Sequence, residues 1–66
     1  MTQDYKYIYF IGIGGIGMSA LARWFHRQSV EIFGYDRNAT KLTDQLIQEG
    51  MQIHFDDEVA SIPAKI

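Results

Sequence analysis

Cysteine is absent from this chain. That excludes a disulfide framework and any thiolate metal site. Length is in short supply too. Sixty-six residues make one small domain, a size that buries only about 60% of its unfolded surface and is marginal without partners. There is no surplus of positive charge. Six basic residues stand against eight acidic ones, for a formal net charge of -2, which argues against nucleic acid or an anionic membrane as the main partner. No apolar run reaches the ~18 residues that a membrane span needs. The opening Met1-Thr2-Gln3-Asp4 has no basic stretch before the apolar segment, so no secretory signal is expected and the expected location is cytoplasmic. The two histidines, His26 and His54, lack metal-ligand spacing. Hydrophobic content is that of an ordinary globular domain.

What is present alternates between two periods. Tyr5 to Ile11 is aromatic and β-branched and reads as a strand. Its Tyr7, Tyr9 and Ile11 share one face, and Ile8 and Phe10 the other. Gly17 to Gln28 reads as a helix with Met18, Leu21, Ala22 and Phe25 as its apolar stripe. Trp24 either packs at the edge of that stripe or awaits a surface the chain lacks. Val30 to Tyr35 is a second strand, in which Gly34 signals a close backbone approach or a nearby ligand. Asn38 is the expected N-cap of a second helix, Ala39 to Glu49, with Leu42, Leu46 and Ile47 as its stripe. Gly50 suits the left-handed position after that helix, and Met51 its hydrophobic follower. Met51 to Phe55 is a third strand, Asp56-Asp57-Glu58 a solvated turn, and Val59 to Ile66 irregular around Pro63.

The order β-α-β-α-β implies an α/β, Rossmann-like fold with a parallel three-stranded sheet. Right-handed crossovers put both helices on one face, with strand order 3-2-1. The fold is incomplete on this reading. One sheet face lacks cover and the first strand is an open edge, yet that strand is apolar on both faces, as a doubly covered strand is. The chain is therefore expected to be the first part of a larger protein or to pair with another chain. Its end at Ala64-Lys65-Ile66, without a closing element, favours the former. Self-association through the open edge or uncovered face is also expected.

The four glycines between first strand and first helix carry the chemistry. Gly12-Ile13-Gly14-Gly15-Ile16-Gly17 matches G-x-G-x-x-G after a strand and opening a helix. The first glycine allows the tight turn, the second close approach to a phosphate, and the third close helix–strand packing. Backbone N–H groups near Gly15 to Met18 then face an anion together with the positive end of the helix dipole. The alternative is a tight turn with no ligand. Asp36 lies nineteen residues beyond Gly17, where dinucleotide enzymes place an acid on a ribose hydroxyl. It reads equally as a turn or capping residue. Arg37 is either a solvated turn residue or a partner for a phosphate or base. Ser19 has no neighbouring base, so a phosphate hydrogen bond is its functional reading. No G-x-x-x-x-G-K-S/T loop is present, which argues against ATP hydrolysis by this chain. No nucleophile, acid/base pair or metal cluster emerges.

The string Tyr9-Phe10-Ile11-Gly12-Ile13-Gly14-Gly15-Ile16-Gly17-Met18-Ser19-Ala20-Leu21-Ala22 resembles the opening of the Mur ligases of peptidoglycan synthesis, in the branch that joins L-alanine to UDP-N-acetylmuramate. Gly34-Tyr35-Asp36-Arg37 resembles the family's Gly-x-Asp after the second strand. Leu42-Thr43-Asp44-Gln45-Leu46 with Gly50 resembles its second helix and cap. The resemblance implies that residues 1–66 are the N-terminal part of a Rossmann-like UDP-sugar-binding domain. The ATPase and C-terminal domains of such a ligase would lie outside this chain. It implies UDP-N-acetylmuramate and those remaining domains as partners. ATP and magnesium serve the parent enzyme, which activates the muramate carboxylate as an acyl phosphate for attack by L-alanine. The chain alone would then hold no cofactor and be catalytically inactive. By the same resemblance Gly14, Gly15, Ile16, Gly17, Met18 and Ser19 would hold the UDP diphosphate, with Asp36 and Arg37 near the uridine. Where the family often carries Gly-His after the third strand, this chain has Asp56-Asp57, so no contact by that histidine carries over. The other readings are an NAD(P)-binding module of an oxidoreductase, and a fold-building fragment that binds nothing by itself.

Overall fold

The computed structural model describes residues 6–64. The expected strand residue Tyr5 lies outside them. Three strands and two helices follow one another: β1 (Tyr7–Ile11), α1 (Ile16–Arg27), β2 (Glu31–Tyr35), α2 (Lys41–Gln48) and β3 (Gln52–His54), then a 3-10 turn, Val59–Ser61. All strand pairs are parallel and the order is β1-β2-β3. This is the expected α/β arrangement, with β2 in the middle and β1 at an edge. The segment after β3 was expected to be irregular, but it closes one 3-10 turn before Pro63.

Strand register sorts the side chains onto two faces. Ile8 lies beside Ile32, and Phe10 beside Gly34, which in turn lies beside Ile53. On that face Phe10, Ile13, Ala22, Val30, Ile32, Leu46 and Met51 form the core, with Ile8, Phe25 and Ile53 packed against it. Both helices contribute to this single cluster, as right-handed crossovers require. The opposite face carries Tyr7, Tyr9, Ile11, Phe33, Tyr35 and His54, and no helix among the described residues covers it. Ile11 is 71% exposed there.

The face that α1 turns to the sheet differs from the expected stripe. Ser19 and Ala22 are its buried residues, whereas Met18, Leu21 and Trp24 are exposed. Small side chains let the helix axis come close to the strands, so the large ones flank the contact. Trp24 meets Phe25 edge-on at 5.0 Å, which places it at the margin. In α2, Thr43 and Leu46 face inward while Ile47 is exposed.

The helix ends show where local chemistry decides. Thr40, not Asn38, caps α2. Its hydroxyl accepts from the Thr43 N–H at 3.2 Å, and Thr43 Oγ1 accepts from the Thr40 N–H at 2.8 Å. This reciprocal pair satisfies two orphan donors. Asn38 lies two residues ahead of the cap, in a turn where its N–H donates to Asp36 Oδ1 at 3.0 Å. At the other end Gly50 takes φ +110° as expected. Gly50 and Met51 donate to the carbonyls of Ile47 and Leu46, a Schellman closure whose follower, Met51, is buried. The end of α1 repeats this closure: Ser29 and Val30 donate to His26 and Phe25. Here the left-handed position holds Ser29, at φ 65°.

An L-residue in the left-handed region costs roughly 1–2 kcal/mol, against about 0.5–1 kcal/mol of extra chain entropy for glycine. Ser29→Gly is expected to stabilise the domain by about 0.5–1 kcal/mol. Thermal unfolding followed by circular dichroism should show Tm rising by roughly 3–8 °C.

Candidate functional site

The glycine loop is folded back over the end of β2. Gly12 takes φ +78°, and the N–H groups of Gly12 and Ile13 both donate to the Tyr35 carbonyl, at 2.8 and 3.1 Å. Ile13, fully buried, drops onto Gly34. A Cβ at Gly34 would sit 2.5 Å from Ile13 Cδ1. The signal in Gly34 was therefore a close approach, made by the loop itself.

Gly14 is held more tightly still. Its N–H donates to Asp36 Oδ2 at 2.7 Å. A Cβ on Gly14 would lie 2.7 Å from that oxygen and 2.9 Å from Thr43 Cγ2. The second glycine thus makes room for a carboxylate and a threonine methyl of this chain. The third glycine, expected to allow close helix–strand packing, meets nothing within 4 Å at its Cβ position. Gly17 instead stands in the exposed first turn of α1.

That turn is the candidate anion site. Gly15 is the N-cap and provides no side-chain cap, and the first turn holds no acidic residue. The Ser19 N–H makes the first helical bond, to the Gly15 carbonyl at 2.8 Å. The N–H groups of Ile16, Gly17 and Met18 precede it and have no acceptor within the helix. All three residues are exposed. Uncompensated donors at the positive end of a helix attract an anion.

The remaining candidates divide. Ser19 is buried, and its hydroxyl donates to the Ile16 carbonyl at 3.0 Å. It braces the first turn from beneath. Asp36 is half-buried, with one carboxylate oxygen on Gly14 and the other on Asn38. Arg37 is exposed and lies beside the Tyr35 hydroxyl, which donates to Asp57. The Asp57 carboxylate is the main reason the Tyr35 hydroxyl is pushed above its ordinary pKa, and burial adds to it. The Arg37 guanidinium acts the other way.

The sequence reading missed the cleft of about 230 Å³ on the uncovered face. Tyr9, Tyr35 and His54 lie on its floor and Asp56, Asp57 and Glu58 on its rim. The Tyr9 hydroxyl and His54 Nε2 are 2.7 Å apart. Asp56 is more than a solvated turn residue: it accepts from the Ser61 hydroxyl at 2.6 Å and the Glu58 N–H at 3.0 Å. Those bonds, the Ser61 hydroxyl first, hold its carboxyl below the ordinary value. The alternation of Tyr7, Tyr9 and Ile11 was the available signal for this face, but the return of residues 56–62 over it is a tertiary event.

The sequence model described as "Mur ligase family, catalytic domain" matches residues 7–65. The chain belongs to the Mur ligase family. Curated relatives agree. The chain is 55% identical over 58 residues to a UDP-N-acetylmuramate--L-alanine ligase of Porphyromonas gingivalis, covering 88% of this chain and 13% of the relative. Similar proteins of the same name occur in Cytophaga hutchinsonii, 52% identical over 85% of this chain and 12% of the relative, and in Flavobacterium johnsoniae, 53% identical over 86% and 13%. The chain thus spans only about an eighth of the length of the Mur ligases it matches. Among the described residues no helix is long and apolar enough to cross a membrane.

Two outcomes test this geometry. Gly14→Ala forces a methyl against Asp36 and Thr43 and is expected to cost about 1–3 kcal/mol, read as a lowered midpoint in urea. The depressed Asp56 carboxyl stabilises the 56–61 turn fully above the ordinary Asp value of 3.8. The contribution is lost as pH falls through the lower folded value. The protection of the Glu58 and Ser61 amides, their exchange taken relative to the intrinsic rate at each pH, should fall only in that acid range, and Asp56→Ala should abolish the dependence.

Proposed function

We propose that this chain is the N-terminal part of a Rossmann-like domain that binds UDP-N-acetylmuramate, within a ligase that joins L-alanine to that nucleotide sugar in peptidoglycan synthesis. The observation that carries the reading is the uncapped, acid-free first turn of α1. The relatives' shared name supplies the substrate class. In this reading Gly14 and Gly15 shape the loop, and the N–H groups of Ile16, Gly17 and Met18 receive the diphosphate. Ser19 and Asp36 support them from within the protein. Arg37, exposed at the rim, meets the uridine end.

ATP and magnesium belong to other domains of the longer ligase on this reading. The residues here do not fit them: the loop has no lysine, and among the described residues no group of three or more His, Asp or Glu side chains is placed to hold a metal. The chain's own contribution is to bind and orient, not to activate a carboxylate. The uncovered sheet face and the β1 edge are where the rest of the ligase, or a second copy of the chain, packs. The protein is cytoplasmic on the same reading. In an NAD-binding reading Asp36 would turn outward to ribose hydroxyls, whereas its oxygens here are turned to the Gly14 and Asn38 N–H groups, and the relatives share the ligase name.

Amide NMR titration with UDP-N-acetylmuramate should shift the residue 14–18 signals, and NAD should leave them in place; shifts with NAD alone would replace this reading with the dinucleotide one. Gly17→Ala adds a methyl beside the donors without touching the protein. It should raise Tm by a few degrees, since Ala favours the helix over Gly, and yet weaken UDP-N-acetylmuramate binding by about tenfold or more, the size of one charge-assisted hydrogen bond.

A further inference from the structure

We infer that Asp36 is a positioning residue of the anion cradle: its carboxylate fixes the glycine loop and sets which side of that loop a phosphate can use, and it does not grip a ribose. This deepens the diphosphate reading and rests on it. Three elements meet at Asp36. Its backbone N–H donates to the His54 carbonyl at the end of β3, at 3.2 Å. Oδ2 takes the Gly14 N–H at 2.7 Å, and Oδ1 takes the Asn38 N–H at 3.0 Å. The carboxylate therefore links the end of the sheet, the glycine loop and the turn before α2. Thr43, fully buried and part of the α2 cap, closes the same pocket with its methyl against Gly14.

The chemistry follows from charge. Gly14 N–H points inward to Asp36 and is spent there. A phosphate at that position would face a carboxylate, and like charges at short range repel. The N–H groups of Ile16, Gly17 and Met18 open away from Asp36 into solvent. Asp36 thus cancels the inner end of the loop and leaves the outer end, the first turn of α1, as the place for an anion. Both oxygens of Asp36 are turned to backbone donors of this chain, Oδ2 to Gly14 and Oδ1 to Asn38.

Two variants and two probes test this on the 66-residue chain. Asp36→Ala removes both acceptors; Asp36→Asn keeps one. Hydrogen exchange reads the clamp without any ligand. The Gly14 and Asn38 amides should exchange at least about tenfold faster in Asp36→Ala, with partial retention in Asp36→Asn. The Thr43 amide, held by Thr40, should not change. Affinity is then measured for UDP and for inorganic pyrophosphate. A positioning role weakens both by the same factor, about tenfold for the alanine variant, because the loop itself is displaced. A loss for UDP with pyrophosphate binding unchanged would assign Asp36 to the ribose and overturn the inference. Unchanged Gly14 exchange in both variants would overturn it as well. If the wild-type chain binds neither probe, the diphosphate reading fails on its own, and Gly14 exchange still decides the clamp. Should Asp36→Ala not fold, Asp36→Asn carries the same comparisons.

Discussion

One carboxylate accepting two backbone donors holds the site together. The loop after β1 has four glycines and little conformational preference of its own. It keeps one shape because Tyr35 takes the N–H groups of Gly12 and Ile13 and Asp36 takes that of Gly14. Both acceptors stand at the end of β2. The parallel register of β1 on β2 brings them under the loop, with Ile11 level with Tyr35. If the strands slipped by one residue, every side chain would change face and the loop would lose its acceptors. The shape of the glycine loop is thus a consequence of strand pairing.

The core is built on one side of the sheet only. Two helices cover it, each ending in the same Schellman closure, and each closure sends a hydrophobic follower, Val30 or Met51, into the core. The Arg23–Glu49 pair, a fork of two hydrogen bonds at 2.9 and 2.8 Å, ties α1 to the end of α2. It is largely exposed and adds little to stability. The other face carries aromatic residues that the 56–62 return only partly shields. A domain of this size has little free energy to spare. The apolar residues left at the surface, Ile11, Leu21 and Trp24 among them, fit a surface made to be covered.

Family membership and chemistry rest on different observations. The match to Mur ligases covers nearly all of the chain but only a small share of each relative. Binding groups are present here: free N–H donors, a helix dipole and a shaped loop. Groups that transfer phosphate or polarise a carboxylate are not found among the described residues.

The sequence alone determined the order of strands and helices, the parallel sheet and Gly50 as a helix stop, and it singled out the loop as the candidate site. Each of these rests on local pattern: period, glycine placement and an alternation that forces crossovers. Tertiary structure decided the rest. It turned Ser19 toward the sheet beside the expected Ala22 and left Met18 and Leu21 exposed, because helix–sheet distance favours small residues at the contact. It moved the α2 cap from Asn38 to Thr40, whose hydroxyl pairs reciprocally with Thr43, and left Asn38 in the turn ahead of it. Thr40-Lys41-Leu42-Thr43 does spell a reciprocal cap, so that signal was present and outweighed by Asn38. The role of Asp36 was beyond any local reading. A carboxylate nineteen residues past the loop looks the same whether it points out to a ligand or in to a glycine, and only the packing of β2 against the loop shows that it points in.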